Sequence, residues 1–225
     1  STLSITTTPM TISNNVVLSG NNTFDLGSNN LTLSGTISNS GIVGSAPGGI
    51  TKTGSGTLTI SSANSFTGGT SISDGTVSLT GSGTLGSGGV TLSGTSTLNV
   101  QAGSGVTKTF SGIVTGAGTI SASGSGTVEL LGNNPGFTGT TSVVGGTTLS
   151  LGSATALGSS TLSLDTSTLK ATANVTLTGP VSVANATSIN VDSGQNLIIQ
   201  GVISNGLSTG SLTKSGAGTL TLQGN

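Results

Sequence analysis

The feature that most constrains this chain is a short alternating pattern that recurs from one end to the other. Apolar residues alternate with Thr, Ser or Asn in Thr57-Leu-Thr-Ile60, Thr76-Val-Ser-Leu79, Leu98-Asn-Val100, Leu149-Ser-Leu151, Leu162-Ser-Leu164 and Thr219-Leu-Thr-Leu222. A period of two sends successive side chains to opposite faces, so these runs read as β-strands with one apolar face. The outward Thr residues are β-branched and suit a pleated surface, while the Gly, Ser and Asn between runs supply turns. No 3.6-residue period is sustained, and helix is not expected.

The chain also repeats itself on a longer scale, and this selects among all-β architectures. Lys52-Thr-Gly-Ser-Gly-Thr-Leu-Thr-Ile60 recurs as Lys214-Ser-Gly-Ala-Gly-Thr-Leu-Thr-Leu222. Between them, Gly124-Ser-Gly-Thr-Val-Glu-Leu130 matches Gly54 to Ile60, Phe137-Thr-Gly-Thr-Thr141 matches Phe66 to Thr70, and Ala156-Leu-Gly-Ser159 matches Thr84 to Ser87. The spacing between matched residues drifts slowly, as loops of variable length on a constant strand frame would produce. A sandwich has no reason to repeat in this way, whereas a parallel β-solenoid stacks each turn on the one before. At roughly 20 residues a turn the chain makes about 11 turns. Residues 1–225 read as a single continuous β-solenoid segment with no domain boundary, because composition hardly changes from end to end. Leu58, Ile60, Leu220 and Leu222 are expected inward and Thr57, Thr59, Thr219 and Thr221 outward, with both copies at one position of the cross-section.

Composition excludes most chemistry. Gly, Ser and Thr fill more than half of the chain, 40 positions being Gly, and the nine charged residues are four Lys and five acids, with no His, Cys, Trp or Tyr. Four scattered Lys cannot neutralise a row of phosphates, so nucleic acid is not a partner. Without imidazole or thiolate, and with carboxylates far apart in sequence, no metal site and no cofactor are expected. Low complexity alone would suggest disorder, but a hydrophobic fraction of 31% rich in Leu, Val and Ile supplies a core to bury. No run approaches a membrane span, and Ser1 does not open a signal peptide, so this segment is not expected to insert into a membrane.

Lys52 to Val77 and Ser123 to Leu149 resemble the autotransporter-associated β-strand repeat found in passenger regions of large bacterial surface proteins. The pattern is Gly-x-Gly-Thr-Leu-x-Leu, then Asn, then an aromatic-Thr-Gly-x-Thr, then Gly-Thr-Leu or its equivalent. It reads here as Gly54-Ser-Gly-Thr-Leu-Thr-Ile60, Asn64, Phe66-Thr-Gly-Gly-Thr70 and Gly75-Thr-Val77, and again with Asn134, Phe137 and Gly139. A third copy begins at Gly216 and stops at Asn225 before its aromatic residue, so the chain is expected to be a segment of a longer repetitive one. The family's aromatic is commonly Tyr, and its C-terminal outer-membrane barrel is not in this sequence. The resemblance implies a right-handed parallel β-helix, secreted or displayed on the outside of a bacterial cell.

Candidate sites are few. The acids Asp25, Asp74, Glu129, Asp165 and Asp192 are well separated, whereas a glycan-active β-helix enzyme needs paired carboxylates. Asp74 and Asp165 stand in turn contexts suited to an Asx-type hydrogen bond. Lys52 and Lys214 occupy one repeat position and read as solvated turn residues. Phe66 and Phe137, also equivalent, read as core or turn packing ahead of exposed anchors for a partner; Phe24 and Phe110 have no such pairing. The pairs Thr57/Thr59, Thr107/Thr109, Thr176/Thr178 and Thr219/Thr221 are too irregularly spaced in sequence for an ice-binding plane. No catalytic, cofactor-binding or metal-binding residue is assigned.

The expected function is therefore a non-enzymatic extracellular structural or adhesive rod of a bacterial surface protein. The first alternative is a self-assembling extracellular fibre subunit stacking head to tail, since neither terminus shows a charged or helical cap, and the second, ranked below it, is a glycan-active β-helix enzyme. Expected partners are neighbouring repeats of the same chain or identical subunits, and a host or neighbouring-cell surface.

Overall fold

A computed structural model describes residues 1–7 and 9–224; Asn225, which closes the third sequence copy, lies outside the described residues. The chain is all-β, with no helix among the described residues, and its parallel strands form a β-solenoid of about 10 turns. Contacts divide it into two compact units, Ser1–Gln101 and Ala102–Asn225.

The first unit contains β1 (Thr2–Ser4), β2 (Met10–Ile12), β3 (Val16–Leu18), β4 (Asn21–Asp25), β5 (Leu31–Leu33), β6 (Ile37–Asn39), β7 (Gly49–Thr53), β8 (Thr57–Ile60), β9 (Thr70–Ile72), β10 (Thr76–Leu79), β11 (Val90–Leu92) and β12 (Thr97–Gln101). They stack as β1-β4-β7-β9-β11, as β2-β5-β8-β10-β12 and as β3-β6. Bonds from turn to turn join residues 20 to 24 positions apart over most of this unit. The turn after β6 is longer, with bonds spanning 27 or 28 positions, and the surplus emerges as a loop that exposes Ile42 and Val43.

The second unit contains β13 (Thr107–Phe110), β14 (Val114–Gly116), β15 (Thr119–Ser123), β16 (Thr127–Leu130), β17 (Thr140–Val143), β18 (Thr148–Leu151), β19 (Thr161–Asp165), β20 (Thr168–Ala171), β21 (Val175–Leu177), β22 (Val181–Val191), β23 (Asn196–Ile199), β24 (Ile203–Ser215) and β25 (Thr219–Leu222). One face runs β15-β17-β19-β22, a second β13-β16-β18-β20-β22, and a third β21-β23-β25. The long β22 turns the corner: its first half pairs with β19 and its second half with β20. Asn185, at φ 53, makes the bend between them.

Registration explains the core. In the first unit Leu31, Leu58, Val77 and Leu98 align turn over turn, as do Leu33, Ile60, Leu79 and Val100. Val128, Leu149, Leu169 and Ile189 do the same in the second. All of these side chains are essentially removed from solvent. Full burial of one such aliphatic side chain stabilises by about 1.5–3 kcal/mol, so a continuous column replaces the large aromatic centre that the composition lacks.

Leu58 and Ile60 are inward and fully buried, but Leu220 is half-buried and Leu222 is 54% exposed, because β25 pairs on one side only among the described residues. Within the second unit the repeat copies do not share one cross-section position. Gly124 to Leu130 feeds β16 on the second face, whereas its counterpart Gly216 to Leu222 feeds β25 on the third. A turn holds three strands, and these two copies are not separated by a whole number of turns, so the later one lands on another face.

One column carries a flaw. Thr141 stands between Ile120 and Leu162 with its hydroxyl buried and unpartnered. A buried hydroxyl without a hydrogen bond costs about 1–3 kcal/mol. Thr141→Val, which keeps the shape, is expected to raise stability by about 1 kcal/mol; an unchanged or lower urea midpoint would contradict this.

Candidate functional site

The repeat builds a corner, and the first copy shows how. Gly54 has φ 77, a left-handed conformation that side-chain-bearing residues resist, and turns the chain from β7 into β8. Gly56 has ordinary φ but lies against the turn below, where a Cβ would collide with the carbonyl of Asn29. The first glycine of Gly-x-Gly thus meets both a conformational and a steric need, since a Cβ on Gly54 would also collide with the backbone of Gly27, whereas the second meets a steric need alone. The second and third copies repeat the arrangement, with Gly124 at φ 104 and Gly216 at φ 75, and with Gly124, Gly126, Gly216 and Gly218 all against the backbone of the preceding turn.

Lys52 corrects an expectation: it is fully buried rather than solvated. It shares the inward phase of β7 with Ile50, and its stem stands in a core column between Phe24 and Ile72. The ammonium turns out of that column and donates to the carbonyls of Thr53 (3.1 Å), Gly54 (2.5 Å) and Asp74 (3.1 Å), tying two successive turns together. Lys214 makes the first two bonds in the same way, to Ser215 (3.1 Å) and Gly216 (2.8 Å), and is exposed. The second copy replaces this lysine with buried Ala122.

Burial lowers the Lys52 pKa below 10.5, outweighing the opposing pull of Asp74 and Asp25, and burial lowers that of Lys108 as well. Unfolded, both amines keep their protons up to about 10.5, so in the window below that value unfolding takes up protons. Stability is therefore expected to rise as pH climbs through the lowered folded values towards 10.5, the reverse of the loss usual for a salt-bridged lysine. A urea midpoint that falls across this window in the wild-type chain, relative to Lys52→Met/Lys108→Met, would oppose the assignment. Buried Lys108 has no counterpart in the repeat, and only its inward phase in β13 could have betrayed it.

Asn64 and Asn134, which the sequence marks only as motif positions, each bond to the turns on both sides. Asn134 is fully buried; its Oδ1 accepts from the Val114 amide (2.8 Å) and its Nδ2 donates to the Ala156 carbonyl (2.7 Å). Asn64 likewise accepts from Ile37 (2.6 Å) and donates to Thr84 (2.8 Å). Each side chain is a strut across three turns, satisfying backbone groups that the strand ladder leaves at the corner. Phe66 and Phe137 follow these struts, and both are wholly buried as core packing.

The acids are engaged in local hydrogen bonds. Asp25 accepts from Gly27 (3.3 Å) and the Thr53 hydroxyl (3.2 Å), Asp74 from Gly75 (2.8 Å), Glu129 from the Thr109 hydroxyl (2.9 Å), and Asp165 from Asn185 (2.7 Å). Asp192 lies 3.5 Å from Lys170 in an exposed pair, a geometry that adds little stability. The fold brings Asp25 and Asp74 into the electrostatic neighbourhood of Lys52, which sequence separation concealed, but the ammonium faces carbonyls and is sealed from any substrate. Among the described residues no group of three His, Cys, Asp or Glu could hold a metal ion.

The outward hydroxyls are more regular than their sequence spacing suggested. Thr57, Thr76 and Thr97 form one column, and Thr107, Thr127, Thr148 and Thr168 another, because the stacked turns absorb the irregular loop lengths.

Comparison with known families adds one finding. The family model of the passenger-associated-transport-repeat matches residues 50–79, 120–151 and 212–225, the three copies whose corners are described above. No curated protein and no solved structure matches the chain. Three such repeats on a parallel β-solenoid are consistent with an autotransporter passenger region with repeats.

Proposed function

We propose that this chain is a non-enzymatic, extracellular structural segment of a bacterial surface protein, a rod that carries adhesive contacts away from the cell. The observation that carries the reading is how the repeat uses its shared residues: Gly54 and Gly56 shape the corner, while Asn64 and Phe66 tie and fill it. Copies on different faces could not present one common binding surface in one direction. Stacking is the property they share, as in repeat proteins stabilised by contacts between neighbours.

The test is to treat intact producing cells with an impermeant biotinylation reagent and protease, then to coat beads with the chain and count cell attachment. Labelling on intact cells together with attachment above uncoated beads supports the whole reading. A chain that is labelled only after lysis overturns the location, and labelled chain without attachment leaves the structural role and removes the adhesive one.

A second reading, a fibre subunit that stacks head to tail, is favoured by apolar groups at both ends of the strand stacks. Leu3, Met10 and Val17 are exposed on β1 to β3, and Leu207, Leu212 and Leu222 on β24 and β25. Open strand edges beside apolar side chains template further strands, and a heterologous contact of this kind gives filaments rather than a closed dimer. Light scattering that grows with concentration, with filaments in electron micrographs, is the expected outcome; a monodisperse monomer at every concentration excludes it.

A further inference from the structure

We infer that Asn205 is a site of spontaneous, non-enzymatic modification, where the folded chain converts its own side-chain amide to a carboxylate through a cyclic imide. Asn205-Gly206 is the one Asn-Gly pair in the sequence. Glycine matters because it places no Cβ beside the backbone nitrogen that must attack.

The local structure adds three features. Asn205, Gly206 and Leu207 are all exposed. The parallel ladder between β22 and β24 breaks immediately after the pair Val183↔Asn205 and resumes at Asn185↔Gly210, so the chain leaves regular pairing just beyond the reacting bond. The Gly210 amide donates to Asn205 Oδ1 at 3.1 Å, which draws electron density from the side-chain carbonyl and makes Cγ a better electrophile. Other asparagines lack this combination: Asn64 and Asn134 are held at both ends as struts and are followed by Ser65 and Pro135.

In the reaction the Gly206 backbone nitrogen bonds to Asn205 Cγ, the Cγ–Nδ2 bond breaks, and Nδ2 departs as ammonia with the proton released by the Gly206 amide. Water then opens the ring at either carbonyl. One opening leaves aspartate and the other isoaspartate, with no oxidation or reduction. Either product adds a negative charge to a chain whose formal net charge is −1. Isoaspartate also inserts a methylene into the main chain, which displaces the register of β24 against β22 beyond this point.

The experiment incubates the full chain at mildly alkaline pH, folded and in urea, and follows Asn205 by peptide mapping and charge by isoelectric focusing. Conversion in the folded chain within about tenfold of the unfolded rate supports the proposal, since a site locked in a stable ladder is protected by its local opening free energy. Protection of more than about tenfold overturns it. The acidic species that forms should disappear in Asn205→Gln; its persistence there would place the chemistry at another residue and also overturn the assignment.

Discussion

Gly56→Ala is expected to destabilise the first unit by about 3 kcal/mol, at the upper end of what an overpacked site costs. The cause is steric and backbone-borne. The new Cβ would fall inside contact distance of the Asn29 carbonyl and carbon, atoms of the neighbouring turn that cannot rotate away as a side chain tip could. Relief requires separating turns that are held by the ladder and by the Asn30 side chain, which accepts from the Thr57 amide at 2.8 Å. Gly94→Ala is the matched control, because a Cβ there meets nothing and the backbone is not left-handed. It is expected to be neutral or to stabilise by about 0.4–1 kcal/mol through the unfolded chain. Urea unfolding of both variants decides the matter, and equal midpoints would show that the close approach at Gly56 carries no cost.

Asn134→Ala is expected to cost about 3 kcal/mol, because it strands a donor and an acceptor at once. The Val114 amide and the Ala156 carbonyl both lose their partner in a site closed to solvent. Asn64→Ala removes the same two kinds of bond from a half-buried position, where water can replace part of what is lost, so its effect should be smaller. Unfolding midpoints test the order, and hydrogen exchange tests the cause: the Val114 amide should lose protection in Asn134→Ala before the rest of the second unit does. Equal losses at the two asparagines would deny that burial sets the size of the effect.

These two residue types show how far the sequence could be read. Gly-x-Gly and Asn were visible as repeat signatures because their spacing recurs with Phe66 and Phe137. Their duties were not, because each is set by an atom some 20 to 28 positions away, such as Asn29 for Gly56 or Ile37 for Asn64. Lys52 marks the same limit. Charge suggested a solvated turn, while its place two residues after Ile50 pointed inward; the inward phase prevailed because the corner offers three carbonyls to the ammonium. The acids were separated correctly in sequence, yet stacking placed Asp25 and Asp74 on either side of Lys52 in its electrostatic field.

By itself the sequence determined the strands, the side of each strand that turns inward, the parallel stacking and the repeat, since all four follow from local alternation and from self-similarity that needs no coordinates. Tertiary structure alone decided which face each copy occupies, which hydroxyls align, which lysine is buried and which backbone groups the asparagines satisfy. The physical reason is that a solenoid's bonds join residues a whole turn apart, and the length of a turn is the sum of its loops. Loops absorb differences in length without disturbing the strand register, so alternation fixes what points inward while only the stacked turns fix what it meets.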